Sequence, residues 1–114
     1  MPFVKNHHLA IESSNSFPHS SGIASSASGM SALALGIMSI EKAGNPSMSE
    51  AYFLKKASFL ARLGSGSAAR SIQGPMVSWG VSEVIEGSSD LYGTPLSSAL
   101  HPVFQDYQDT ILLI

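Results

Sequence analysis

The chain has 114 residues, 44% of them hydrophobic and only 12% charged, with a net charge of −2 and no cysteine. This is one small domain or part of a larger one, too apolar for a disordered chain and suited to a buried piece of something larger. A disulfide scaffold and a cysteine-ligated zinc site are excluded, and no basic cluster beyond Lys55-Lys56 offers nucleic acid a footprint.

The N-terminal stretch "MPFVKNHHLAIESS" lacks the sustained apolar run of a secretory signal, and a cysteine-free chain is compatible with the cytoplasm. Residues 8–13 alternate loosely and predict a short strand, after which "NSFPHSSG" reads as a turn. From about Ser26 to 43 the pattern is helical. Met30, Leu33, Ile37 and Ile40 share one face, while Ser28, Ala32 and Gly36 form a small-residue stripe open to close approach. Gly22 to Ile40 nears membrane-spanning length, but its serines and glycines favour a buried soluble helix.

Gly44-Asn45-Pro46 ends this helix, and Ser47 with Glu50 fits a capping box for a second over 48–63. Phe53, Ala57 and Leu60 supply its buried face, and Lys55, Lys56 and Arg62 its wet side. A Gly/Ser segment at 64–71 follows, then a strand over about 75–81 with Trp79 in the core. Residues 81–98 read as a surface excursion with a helical turn near 94–100. Thr110 to Ile114 reads as a buried strand cut short, so the chain is expected to be an internal fragment.

Two segments carry chemistry. The stretch "FPHSSGIASSASGM" sets glycine and serine before an apolar helix, where free backbone amides and the helix dipole suit a phosphate. It lacks the lysine-serine ending of a Walker-type loop. Its small residues are equally suited to close helix packing, and composition alone leaves both readings open. The segment "GSGSAARS" adds Arg70, one of two arginines, with no acidic neighbours in sequence. Its guanidinium is either an exposed helix residue or free to grip a carboxylate or phosphate with two hydrogen bonds. His7, His8 and His101 have no partners at ligand spacing and read as surface histidines. Position 19, a histidine inside the loop, could donate to a phosphate.

On these residues the chain resembles a known superfamily, that of galactokinase, homoserine kinase, mevalonate kinase and phosphomevalonate kinase. Pro18, Gly22, Ile23, Ala24, Ser25, Ser26 and Ala27 match its phosphate motif. Alanine at 24, where most members carry glycine, together with "LARLGSGSAARSIQGPMVSW", resembles the diphosphomevalonate decarboxylase family; Ala69 and Pro75 stand where that family commonly has cysteine and glycine. The resemblance is good from Ala10 to Trp79 and looser towards the C-terminus. It implies an α+β fold of the ribosomal-protein-S5-domain-2-like type, here a partial N-terminal domain with two or three helices on an incomplete sheet.

The resemblance further implies ATP and Mg2+ as cofactors, mevalonate diphosphate as the small-molecule substrate and isopentenyl diphosphate as the product. It implies Ser20, Ser21, Gly22, Ala24, Ser25 and Ser26 around the ATP phosphates, with Ser25 also near the metal. Ser65, Gly66, Ser67 and Arg70 would face the substrate, with Arg70 on its carboxylate. It implies a cytoplasmic homodimeric parent, no nucleic-acid or membrane partner, and a catalytic aspartate beyond Ile114. Asp90, Asp106 and Asp109 do not match that residue, so this chain alone is expected to be inactive. A sister mevalonate or phosphomevalonate kinase is the first alternative, and a non-catalytic truncated product with residual anion binding the second.

Overall fold

The computed structural model describes residues 2–18, 20, 22–96, 100–110 and 112. Two helices, α1 (Ser25–Gly44) and α2 (Glu50–Gly64), form a hairpin, and α2 packs against the second strand of a two-stranded antiparallel sheet of β1 (Val77–Gly80) and β2 (Ser89–Pro95). Between α2 and β1 lies a 3-10 turn, Gly66–Ser71, wedged among α1, α2 and both strands. The result is an α+β fold with a small, incomplete sheet.

The buried face of α1 consists of Ala27, Ser31, Ala34 and Met38, spaced by three and four residues. Opposite them lie Phe53, Ala57, Ser58 and Ala61 of α2. Alanine at this seam lets the two backbones approach closely. Ala68 of the 3-10 turn joins the cluster of Ala27, Ala34 and Ala61, while Met38 packs with Met48, Phe53 and Ala57. The expected small stripe of Ser28, Ala32 and Gly36 is not the one used. Ser28, Ala32 and Gly36 face solvent, Met30, Leu33 and Ile37 are half-buried, and Ile40 is 50% exposed.

The strand expected at 8–13 does not form. Residues 7–15 are exposed, carry no regular structure and border the apolar face of α1 across a groove of about 560 Å³. Alternation alone cannot make a strand without a partner for its backbone groups.

The cap of α2 is Ser49, whose Oγ accepts from the Tyr52 N–H at 3.3 Å. The expected cap, Ser47, instead donates to Asn45 Oδ1 at 2.7 Å, and Glu50 pairs with Lys42. A turn closed by the Met48 N–H on the Asn45 carbonyl delays the helix and buries Met48. Lys56 of α2 reaches back to Glu41 of α1 at 2.7 and 2.8 Å, tying the helices at their wet edge.

β1 and β2 pair with Val77 opposite Pro95, Ser78 opposite Thr94 and Gly80 opposite Ser89, with an irregularity between Ser78 and Gly80. β2 lies inside the expected surface excursion, and residues 94–95 belong to it rather than to a helical turn. Its aspartate, glycine and proline are poor strand formers. What seats it is Gly93, buried against α2 and the 3-10 turn. A Cβ at Gly93 would meet the Ala69 carbonyl oxygen at 2.6 Å and Val77 Cγ1 at 2.7 Å, so only glycine admits this approach. The expected strand at 110–114 falls mostly outside the described residues. Among the described residues no helix is long and apolar enough to cross a membrane.

Candidate functional site

The loop before α1 has an unusual backbone. Ser20, Gly22 and Ala24 all have positive φ, at 60°, 76° and 52°. Left-handed residues interspersed in a loop are how a backbone turns several N–H groups towards one point. Ala24 caps α1 without a side-chain hydrogen bond, and its carbonyl accepts from Ala27 and Ser28. The amides of Ser25 and Ser26 meet no acceptor among the described residues, which leaves the positive end of a 20-residue helix open. Positions 19 and 21 lie outside the described residues.

The second segment starts where α2 stops. The Ser65 N–H closes on the Ala61 carbonyl at 3.0 Å, and the Ser65 carbonyl accepts from the Ala68 N–H at 2.9 Å, opening the 3-10 turn. Ala68 and Ala69 point into the core, which places Gly66 and Arg70 outside and Ser65 and Ser67 at the boundary. Trp79 lies beside Gly66, where a Cβ would stand 3.3 Å from its ring. Trp79 is not in the core as expected. It is 42% exposed, with its indole N–H donated to the Asp90 carbonyl at 2.9 Å.

The fold brings the two segments together. Ser26 Oγ and Ser65 Oγ lie 3.3 Å apart. On one side of this contact, Ala24, Ala27, Ser67 and Arg70 line a pocket of about 390 Å³ closed by Pro75 and Met76. On the other, Ser25, Ser26 and Gly29 line a second of about 390 Å³ with Ser13 and Asn15. Among the described residues no carboxylate pairs with Arg70 and no acceptor holds its guanidinium. The arrangement sets the open N-terminus of α1 beside the turn that carries Arg70, with Ser25 and Ser26 lining one pocket and Ser67 and Arg70 the neighbouring one. It is suited to an anionic ligand spanning both.

No group of histidine, aspartate and glutamate able to hold a metal exists among the described residues. His7 and His8 are exposed, and His101 accepts from the Val103 N–H to cap a short turn. Asp90 Oδ1 accepts from the Val81 N–H, and Asp106 and Asp109 are exposed.

Residue-by-residue reading of the sequence overlooked two buried serines behind the site. Ser31 Oγ contacts the Ala27 carbonyl at 2.6 Å and the Ala68 carbonyl at 3.2 Å. Ser58 Oγ donates to the Ala69 carbonyl at 2.6 Å and accepts from the Gly93 N–H at 2.8 Å. The available signal was a serine set among alanines on an apolar helix face, where a hydroxyl needs a partner.

Comparison with known proteins agrees with this architecture. The family model for the diphosphomevalonate decarboxylase-like N-terminal domain matches residues 2–90. The diphosphomevalonate decarboxylase of Ganoderma lucidum is 38% identical over 91 residues, covering 80% of this chain and 21% of its own length. That of Gibberella zeae is 39% identical over 89 residues, covering 77% of this chain and 21% of its own length. The Debaryomyces hansenii enzyme is 35% identical over 118 aligned positions, covering 96% of this chain and 29% of its own. The chain thus spans between a fifth and a third of the length of these curated relatives. No solved structure matches it significantly. On the family match and the identities together, the chain belongs to the diphosphomevalonate decarboxylase-like N-terminal domain family.

Proposed function

We propose that this chain forms the phosphate-binding and substrate-facing part of an ATP-dependent diphosphomevalonate decarboxylase, which converts mevalonate diphosphate to isopentenyl diphosphate. In this reading the two-stranded sheet is part of a ribosomal-protein-S5-domain-2-like N-terminal domain. The single observation that carries the reading is the 3.3 Å contact between Ser26 and Ser65, which joins the two motifs in one place.

The left-handed loop residues fit a phosphate. Gly22 and Ala24 bend the backbone, and the uncapped amides of Ser25 and Ser26 supply donors. Ser20 belongs to the same loop, and Ser21 is assigned to the phosphates from its place in the sequence motif. ATP, when bound, would supply the phosphoryl group for the substrate's 3-hydroxyl, and the Ser25 hydroxyl is the group that would hold Mg2+. Ser65, Gly66 and Ser67 border the substrate, and Arg70 takes its carboxylate in a two-pronged grip that holds one orientation until carbon dioxide departs. Phosphoryl transfer depends mainly on such positioning and charge stabilisation. The family's catalytic aspartate is not assigned to any of these residues, so the chain binds without turning over until that group is supplied.

Calorimetry with Mg-ATP and, separately, with mevalonate diphosphate tests the reading. Saturable binding at millimolar concentration or tighter, weakened by Arg70→Ala for mevalonate diphosphate, is the expected result. No binding of either ligand would overturn it.

A further inference from the structure

We infer that Ser58 is a positioning residue for Arg70. The inference deepens the substrate-site reading above and rests on it. Ser58 is wholly buried in the middle of α2, and its one hydroxyl does two things. It donates to the Ala69 carbonyl at 2.6 Å, the peptide that leads into Arg70, and it accepts from the Gly93 N–H of β2 at 2.8 Å. The helix, the turn that follows it and a strand 35 positions downstream therefore meet on one oxygen.

The geometry leaves no slack at this point. The Ala69 carbonyl oxygen is also the atom that a Cβ on Gly93 would strike at 2.6 Å, so helix, turn and strand are packed against the same peptide. Arg70 itself is exposed and has no hydrogen-bonded partner among the described residues. Its side chain is not fixed from outside, so its direction depends on the backbone of the 3-10 turn. That backbone is held by Ser58 on the Ala69 carbonyl, because the Ser31 hydroxyl gives its one proton chiefly to the Ala27 carbonyl at 2.6 Å and only approaches the Ala68 carbonyl at 3.2 Å. Loss of the Ser58 hydroxyl frees a buried acceptor and a buried donor together, and the turn must move to satisfy them.

The test is calorimetry on the full chain with mevalonate diphosphate and with Mg-ATP. Ser58→Ala should weaken mevalonate diphosphate binding about tenfold and leave Mg-ATP binding within about twofold. Ala57→Gly, a neighbouring buried change that lowers stability without touching Ala69, should leave both affinities in place. Equal losses in Ser58→Ala and Ala57→Gly would show a merely structural role and overturn the inference. If Arg70→Ala weakens binding and Ser58→Ala does not, the inference fails while the site reading stands. If Arg70→Ala binds as tightly as the parent chain, the site reading fails and takes the inference with it. A second measurement needs no variant. The Gly93 amide should exchange with solvent at least about a hundredfold more slowly than exposed loop amides, and exchange at the unprotected rate overturns the inference.

Discussion

Ser26, in the first turn of α1, and Ser65, at the end of α2, face each other through their hydroxyls at 3.3 Å, although 39 residues separate them in sequence. The contact is exposed, so its own contribution to stability is small. Single replacements Ser26→Ala and Ser65→Ala should each change unfolding free energy by less than about 0.5 kcal/mol in urea titrations. Under the proposed function Ser26→Ala should weaken Mg-ATP binding and Ser65→Ala mevalonate diphosphate binding. A loss of several kcal/mol in stability would show that the pair is structural.

Ala24 holds a left-handed conformation at φ 52° with a Cβ that disfavours it. The penalty for an L-residue there is about 1–2 kcal/mol, and glycine avoids it at some cost in chain entropy. Ala24→Gly should therefore raise stability by about 0.5–1 kcal/mol, measured by urea denaturation, and Ala24→Val should lower it. The strain is local to the loop that opens α1.

The Lys56–Glu41 pair sets an alkaline limit. Burial pulls the Lys56 pKa down, but hydrogen bonds to Glu41 and Tyr52 and the nearby negative charge outweigh it, so the folded value lies above the ordinary 10.5. The protonated form is thus favoured by folding. That stabilisation is complete below the unfolded value and is lost as pH rises through the folded one. Lys56→Met should cost about 1 kcal/mol at neutral pH. It should also remove the part of the stability loss that the parent chain shows above pH 10.5, followed by thermal melts across pH.

Capping separates two serines two residues apart. Ser49→Ala should destabilise α2 by about 1 kcal/mol, while Ser47→Ala, which loses only an exposed bond to Asn45, should be nearly neutral. Equal effects would mean that the helix starts where the capping-box pattern alone would put it.

Both helices were legible because their apolar periodicity and their Gly-Asn-Pro and glycine stops agree with one another. Which face of α1 would be buried was not. Side-chain size pointed to Met30, Leu33, Ile37 and Ile40, but the partner is another backbone, and Ala27, Ser31 and Ala34 let it come closer. β2 was hidden for the same reason. Its seat is the absence of a side chain at Gly93, a signal that reads as a loop until the Ala69 carbonyl is placed beside it. The strand expected at 8–13 had the alternation but no partner strand among the described residues. Arg70 stood out by its neighbours in sequence, whereas the pocket it shares with Ala24 depends on the hairpin bringing residues 24 and 70 together.

The central claim is that the two glycine- and serine-rich segments form one ligand site. A titration of the isotope-labelled chain with Mg-ATP and mevalonate diphosphate, followed by amide NMR shifts, tests it most directly. The account predicts saturable shifts at Gly22, Ser25 and Ser26 together with Ser65, Ser67 and Arg70, and quiet amides on the exposed stripe of Ser28, Ala32 and Gly36. Shifts confined to one segment, or none at either, would contradict it.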